Sequence, residues 1–200
     1  MTLTLLKFNL YFKTRKSFYF VFLIIFMDES RIITPPTYLS VEEWESVGRN
    51  FIFLAGPIQG AADWQSDAIK LMQSLESKIT VASPRRIEKS GDYSEEKYLE
   101  QVNWERSHLK KSWKSGVVMF WLAKETEYIP GRSYAQTSRF EIGESKLRHE
   151  TNWSKLVVGI ESGFSGERYI RKIFSDDCPD VHIYDNLKET CEEAVRLIKI

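Results

Sequence analysis

The segment Thr137-Ser138-Arg139-Phe140-Glu141-Ile142-Gly143-Glu144 holds the side chain best suited to covalent chemistry in this 200-residue chain. Its pattern predicts a helix over 138–148, which puts Glu141 in the first turn, with Gly143 leaving backbone room beside it. A carboxylate so placed can attack an electrophilic carbon such as a sugar anomeric centre, forming an ester that a second acceptor resolves. The same residues also read as a capping box: Ser138 and Glu141 have the S-x-x-E spacing, in which the glutamate satisfies the N-cap amide. A second acid, Glu105, falls on an otherwise apolar helical stripe of Tyr98, Val102, Leu109 and Trp113.

Other chemistries lack their residues. No G-x-G-x-x-G follows the first regular strand and no G-x-x-x-x-G-K-[ST] occurs, which disfavours dinucleotide and P-loop sites. His108, His149 and His182 form no close cluster, so a histidine-built metal site is not expected and each reads as structural. No serine sits in a G-x-S-x-G elbow. A doubly wound phosphoacceptor domain would need acids at strand ends that here read Ala55-Gly56-Pro57 and Leu122-Ala123.

The elements that must position these acids alternate regularly. Continuous apolar runs at 51–55, 79–82, 117–122, 156–160 and 181–184 predict five strands covered on both faces. Between and after them, helical periodicity covers 61–75, the stretch beginning at Ser94, 138–148, 168–174 and 187–198. Ser94 is a natural N-cap, with Glu95 and Glu96 placed where the helix dipole favours acids. Strand and helix in alternation predict an open, mostly parallel five-stranded sheet with helices on both faces. Ligands in such sheets bind outside the carboxyl ends of the strands. Here those ends carry Gly56 to Gly60, Ser83 to Arg86, Trp121 to Gln136 and Ser162 to Gly166.

Composition bounds the rest. Apolar residues make up 42% of the chain and only 10 Gly and 6 Pro interrupt them, which excludes a disordered or collagenous chain. Lys plus Arg and Asp plus Glu both number 28, so no basic excess is available to hold a nucleic-acid backbone. Two cysteines, Cys178 and Cys191, make neither a disulfide framework nor a zinc pattern, and a reducing, cytoplasmic setting is the simplest reading. Residues 1–26 form a basic and apolar extension whose run FYFVFLIIF is too short, at ~14 Å as a helix, to span a bilayer. It is signal-like in charge but has no A-x-A-like site, and Met27 is an alternative start. Residues 27–50, with Pro35-Pro36 and a short helix over 41–46 capped by Ser40, read as a lead-in arm to a domain over 51–200.

Several short motifs occur in a telling order. They are Phe53-Leu54-Ala55-Gly56-Pro57-Ile58 with Asp63-Trp64, Ser83-Pro84 with Arg86, Gln101-Val102-Asn103-Trp104-Glu105, Met119-Phe120-Trp121, and 137–144. Together they make the stretch from about residue 50 to residue 200 resemble the nucleoside 2-deoxyribosyltransferase family, especially its divergent transferase-like branch. The resemblance implies a flavodoxin-like three-layer α/β sandwich and places the family's nucleophilic glutamate at Glu141. It implies a (deoxy)nucleoside cleaved at its N-glycosidic bond through a glutamyl-glycosyl intermediate, with the sugar passed to another base. Gly56, Pro57 and Ile58 would then approach the ligand, Glu105 would bind sugar hydroxyls or orient Glu141, and Ser138 and Arg86 would also line the pocket. Trp64, Trp104 and Trp121 could stack on a base or simply be core. Arg85, Arg86 and Arg132 would suit a phosphate or be solvated charges, and Glu105 could instead be a buried partner of Arg85 or Arg86. The family usually has aspartates where this chain has Lys114-Ser115-Gly116 and Ala135. Hydrolysis of a nucleoside or nucleotide, or binding with weak catalysis, therefore stand as alternatives. No cofactor or metal is implied; the expected partners are a small nucleoside or nucleotide and other copies of the chain, with neither nucleic acid nor membrane.

Overall fold

The central strand, β4 (Val117–Leu122), is buried along its whole length, and its side chains alternate between two cores. Val118, Phe120 and Leu122 enter one core, whereas Val117, Met119 and Trp121 enter the other. That period of two is what a strand covered on both faces must show. β2 (Phe51–Ala55) repeats it, with Phe51, Phe53 and Ala55 on one face and Ile52 and Leu54 on the other.

The structure, a computed structural model, describes residues 30–86 and 94–200. Around β2 and β4 lie β1 (Arg31–Ile33), β3 (Thr80–Ala82), β5 (Lys155–Ile160) and β6 (Ile183–Tyr184). The order is β1-β3-β2-β4-β5-β6 and every neighbouring pair is parallel. Register runs Ile52 to Val117 and Ala55 to Phe120 between β2 and β4, and Leu122 to Ile160 between β4 and β5. Without β1, this is the 2-1-3-4-5 order of a flavodoxin-like sheet, whose switch point falls between β2 and β4. The five expected strands are all present, so the three-layer α/β sandwich stands.

The helices are α1 (Val41–Val47), α2 (Trp64–Leu75), α3 (Glu95–Ser115), α4 (Gln136–Asn152), α5 (Glu167–Asp177) and α6 (Leu187–Ile198). α2 and α6 cover one face through Trp64, Ala68, Met72, Cys191, Ala194, Val195 and Ile198. α3, α4 and α5 cover the other through Trp104, Leu109, Ile142, Ile170 and Phe174. α2 starts at Trp64 rather than at residue 61, because Asp63 caps it by accepting from the Ser66 amide at 3.2 Å. Ser94 caps α3 through the Lys97 amide at 3.3 Å.

The sixth strand comes from the lead-in arm. β1 pairs with β3 from Arg31–Thr80 to Ile33–Ala82, but only Ile33 of its three residues is buried. The rest of the arm is fastened as well. Ser40 and Glu43 form a reciprocal capping box on α1, Trp44 packs edge-on against Phe51, and the Trp104 indole N–H donates to the Thr37 carbonyl at 2.7 Å. The basic extension over 1–26 lies outside the described residues, and among those described no helix is long and apolar enough to cross a membrane.

Candidate active site

At the switch point the β2–α2 turn has little freedom. Gly56 has φ +146, and a Cβ there would fall on the Trp121 carbonyl oxygen and lie 2.9 Å from the Trp64 ring. The Pro57 carbonyl accepts from the Trp64 indole N–H at 2.8 Å. Trp64 and Trp121 are 4% and 5% exposed, so both indoles lie mostly within the core beneath the turn. Gly60 ties the turn to its neighbour, its carbonyl accepting from the Thr126 and Glu127 amides at 2.8 and 3.1 Å. The Tyr134 hydroxyl donates to the Ala123 carbonyl at 2.6 Å, folding the β4–α4 loop onto its own strand end.

The two arginines after β3 diverge. Arg85 turns to the β2–α2 turn, donating to the Gln65 side chain at 2.9 Å and the Ile58 carbonyl at 3.3 Å and pairing with Asp63 at 3.0 Å. Arg86 turns to α3, where it donates to the Gln101 side-chain oxygen at 2.9 Å and pairs with Glu100 at 3.1 Å. The Gln101 side-chain N–H group donates to the Pro84 carbonyl at 2.8 Å and to Glu105 Oε1 at 2.7 Å. Arg132 is exposed.

Helix α4 departs from the capping reading of its sequence. It starts at Gln136, its N-cap is Ala135 with φ 55, and no side chain caps it. Ser138 is therefore the third helical residue and Glu141 lies in the second turn, so the S-x-x-E pair is not a capping box. Gly143 is also displaced from its expected role. It is exposed, with nothing within 4 Å of where a Cβ would stand, because two residues of helix turn it away from the buried Glu141 face. That inner face is Ser138, Glu141, Ile142 and Ser145.

Glu141 is 7% exposed. Burial raises its carboxyl to about 8, the nearby Glu105 carboxyl adds to the rise, Arg106 opposes it and Glu144 adds a little. No described residue forms a hydrogen bond with either Glu141 oxygen. Among the described residues, the one fully enclosed side-chain polar atom without a partner is His108 Nε2. Glu105, half-buried on α3, is likewise raised by burial, with Gln101 and then Arg86 opposing. One turn beyond Glu141, Arg106 grips Glu144 with both guanidinium nitrogens, and the Trp113 indole donates to the Ser145 hydroxyl at 3.1 Å. These bonds lock α3 against α4.

Of the expected residues, Arg86 and Glu105 are joined through Gln101, the Glu105 carboxyl is near enough to Glu141 to raise it, and Glu141 shares the inner face of α4 with Ser138. Gly56, Pro57, Ile58, Trp64 and Trp121 form a separate group at the β2 turn. Trp104 is fully buried and stacked on His108 at 4.1 Å, which makes it core. Gln101 was not among the expected site residues, although its spacing of four from Glu105 places both on one helix face and could have shown it. Nothing in the sequence pointed to the Arg106–Glu144 pair, which joins two helices.

The described residues contain no group of three His, Cys, Asp or Glu side chains able to hold a metal ion. An open doubly wound sheet of this strand order defines a class: a flavodoxin-like α/β protein. The family model for nucleoside 2-deoxyribosyltransferase-like proteins matches residues 49–163, and the chain belongs to that family. Membership implies a glycosyl-transferase-like enzyme acting on nucleosides. No curated protein matches the chain.

Proposed function

We propose that the protein cleaves the N-glycosidic bond of a (deoxy)nucleoside with Glu141 as nucleophile and transfers the sugar to a second base. One observation carries this reading: Glu141 is almost wholly buried on α4, yet among the described residues it has no hydrogen-bond partner. A glutamate serving only the fold would be paired.

In the reaction, an ionised Glu141 oxygen bonds to C1′ as the C1′–N bond breaks, its electron pair leaving with the base, which takes up a proton. A nitrogen of a second base then attacks C1′, giving up its proton to solvent, and the Glu141 carboxylate departs. The low-polarity surroundings that hold the acid protonated at rest leave its ionised form poorly solvated and so more nucleophilic. Arg86, Glu105 and Ser138 would line the sugar side, and the Gly56-Pro57-Ile58 turn, held by Trp64 and Trp121, would form the opposite wall.

The test is incubation with a panel of deoxynucleosides and a free acceptor base. New nucleoside is the expected product; free sugar without exchange would convert the reading to hydrolysis, and binding without turnover would reject it. Glu141→Gln should abolish turnover while keeping the fold, and full activity in that variant would remove Glu141 from the reaction.

A further inference from the structure

His108 is 1% exposed on α3, and its Nε2 is the enclosed atom without a partner. Its Nδ1 lies 2.9 Å from the Trp104 carbonyl, which can only accept, so the ring proton sits on Nδ1 and Nε2 is a bare lone pair. Four rings surround the imidazole. Trp104 stacks on it at 4.1 Å and Phe51 of β2 stands at 6.5 Å, whereas Tyr38 at 5.5 Å and Trp44 at 5.7 Å come from the lead-in arm. The arm is fastened at this same cage. The Trp104 indole donates to the Thr37 carbonyl, and Trp44 packs edge-on against Phe51.

We propose that His108 is an acid-operated latch for the arm: a proton taken up from solvent at Nε2 releases residues 30–47 from α3 and β3. Neutral, the ring fills the cage as an apolar group would. Protonated with the arm in place, its new N–H and positive charge would find neither acceptor nor water, a cost absent in solvent. The ionisable groups beside the cage do not offset it. Tyr38 is a phenol, Glu43 of α1 is taken by Arg31 and the Ser40 amide, and Lys111 of α3, with Nζ 5.0 Å from the Trp44 ring centre, is itself a cation. Phe51 of β2 brings no charge. Among the described residues no charged side chain acts on His108: burial lowers its basicity and the Trp104 carbonyl alone opposes. Lifting the arm takes away Tyr38 and Trp44, lets water reach Nε2, and so favours the proton. The docked form therefore binds fewer protons, and docking weakens as pH falls below the ordinary histidine value of 6.5. One proton raises the released fraction at most tenfold per pH unit, or roughly 20-fold from pH 7 to pH 5.

The test uses the full chain with no ligand. Hydrogen exchange is read at two amides that the docked arm protects, Arg31 on the Ile79 carbonyl and Ser83 on the Ile33 carbonyl, at pH 7 and pH 5 and corrected for the intrinsic rate at each. Their protection should fall about 20-fold between the two, while the amides of β4 keep theirs. Unchanged protection would overturn the proposal, and so would β4 losing protection in step, which marks unfolding of the whole rather than release of the arm. His108→Phe keeps a stacked ring without the ionisable nitrogen and should abolish the pH effect. Should that variant fail to fold, Trp44→Ala serves. It opens one wall, water reaches Nε2 with the arm in place, and the pH effect should shrink to a few-fold. The full effect surviving in either variant would overturn the latch. None of these readouts needs turnover or a role for Glu141, so the proposed function stands or falls separately.

Discussion

The two faces of the sheet are built on different rules. On one, α2 and α6 bury apolar stripes, and their two buried polar residues, Gln65 and Thr190, are hydrogen-bonded. On the other, α3 and α4 bury His108, Ser112, Ser138, Glu141 and Ser145, with Glu105 half-buried among them. The first face contributes stability through area removed from water. The second holds Glu141 in low-polarity surroundings with no hydrogen-bond partner among the described residues, an arrangement that costs stability. A fold can carry that cost on one side because the other side carries none.

The contrast breaks most visibly at Glu141. Replacing it with Gln should lower base exchange by at least about 10³-fold, as loss of a covalent nucleophile does, measured by chromatography of the product nucleosides. Stability should move the opposite way. The folded-state carboxyl is raised to about 8 from an ordinary 4.5, so the native state holds the extra proton across that window. Wild-type stability contributed by this group therefore falls as pH rises from about 4.5 to about 8, and Glu141→Gln removes the loss. At pH 8 the variant should be more stable by up to a few kcal/mol; at pH 4.5 the two should be nearly equal in urea denaturation. A variant less stable at both values would mean that the carboxylate is paired after all. Activity of the wild type should rise with pH towards 8 as Glu141 ionises, and a profile flat from pH 5 to 8 would exclude it as the titrating nucleophile.

The same charge on the other face should be ruinous. Ala68 is fully buried against Cys191 and the apolar stripe of α6. Ala68→Glu should cost roughly 3–5 kcal/mol, since nothing there can pair with or solvate a carboxylate. The check is thermal unfolding by circular dichroism; an unchanged midpoint would show that the two faces do not differ as described.

Sequence patterning saw the apolar face better than the acidic one, for a physical reason. Periodicity detects burial only when the buried residues are apolar. The strands and α6 obey that condition, and 187–198 emerges with the bounds expected. The inner face of α4 mixes Ser138, Glu141 and Ser145 with Ile142 while Phe140 and Leu147 point outward, 72% and 56% exposed, so its pattern misplaced both the helix start and the role of Gly143. β1 escaped because three residues with one buried side chain carry no alternation. Glu141 was legible as a candidate through its motif, whereas the Arg86–Gln101–Glu105 chain joins a loop to a helix, a meeting that only the fold creates.

The switch point sharpens the contrast at smaller scale. Gly56→Ala forces a methyl group onto the Trp121 carbonyl from a φ of +146, and should cost roughly 2–4 kcal/mol while displacing the turn proposed to wall the site. Denaturant unfolding reads the first effect and a raised KM the second; loss of stability with KM unmoved would remove the β2 turn from the ligand's surroundings.

Ala135 offers the mildest and most selective change. It stands at the N-cap of α4 with φ 55, one of two described non-glycine residues at positive φ, and no side chain caps the helix there. An L-residue in this conformation is strained by about 1–2 kcal/mol, which glycine avoids, while glycine's greater freedom when unfolded returns roughly 0.5–1 kcal/mol of that gain. Ala135→Gly should therefore be stabilising by up to about 1 kcal/mol, read as a shift in the urea midpoint at unchanged slope. It should also leave the Glu141 titration where it is, because the strain lies at the helix start and not at the acid. A destabilised variant would mean that the Ala135 side chain packs in a way that offsets its strain. A shifted Glu141 midpoint would mean that the strained cap helps set the position of the acid six residues, about one and two-thirds turns of helix, further on.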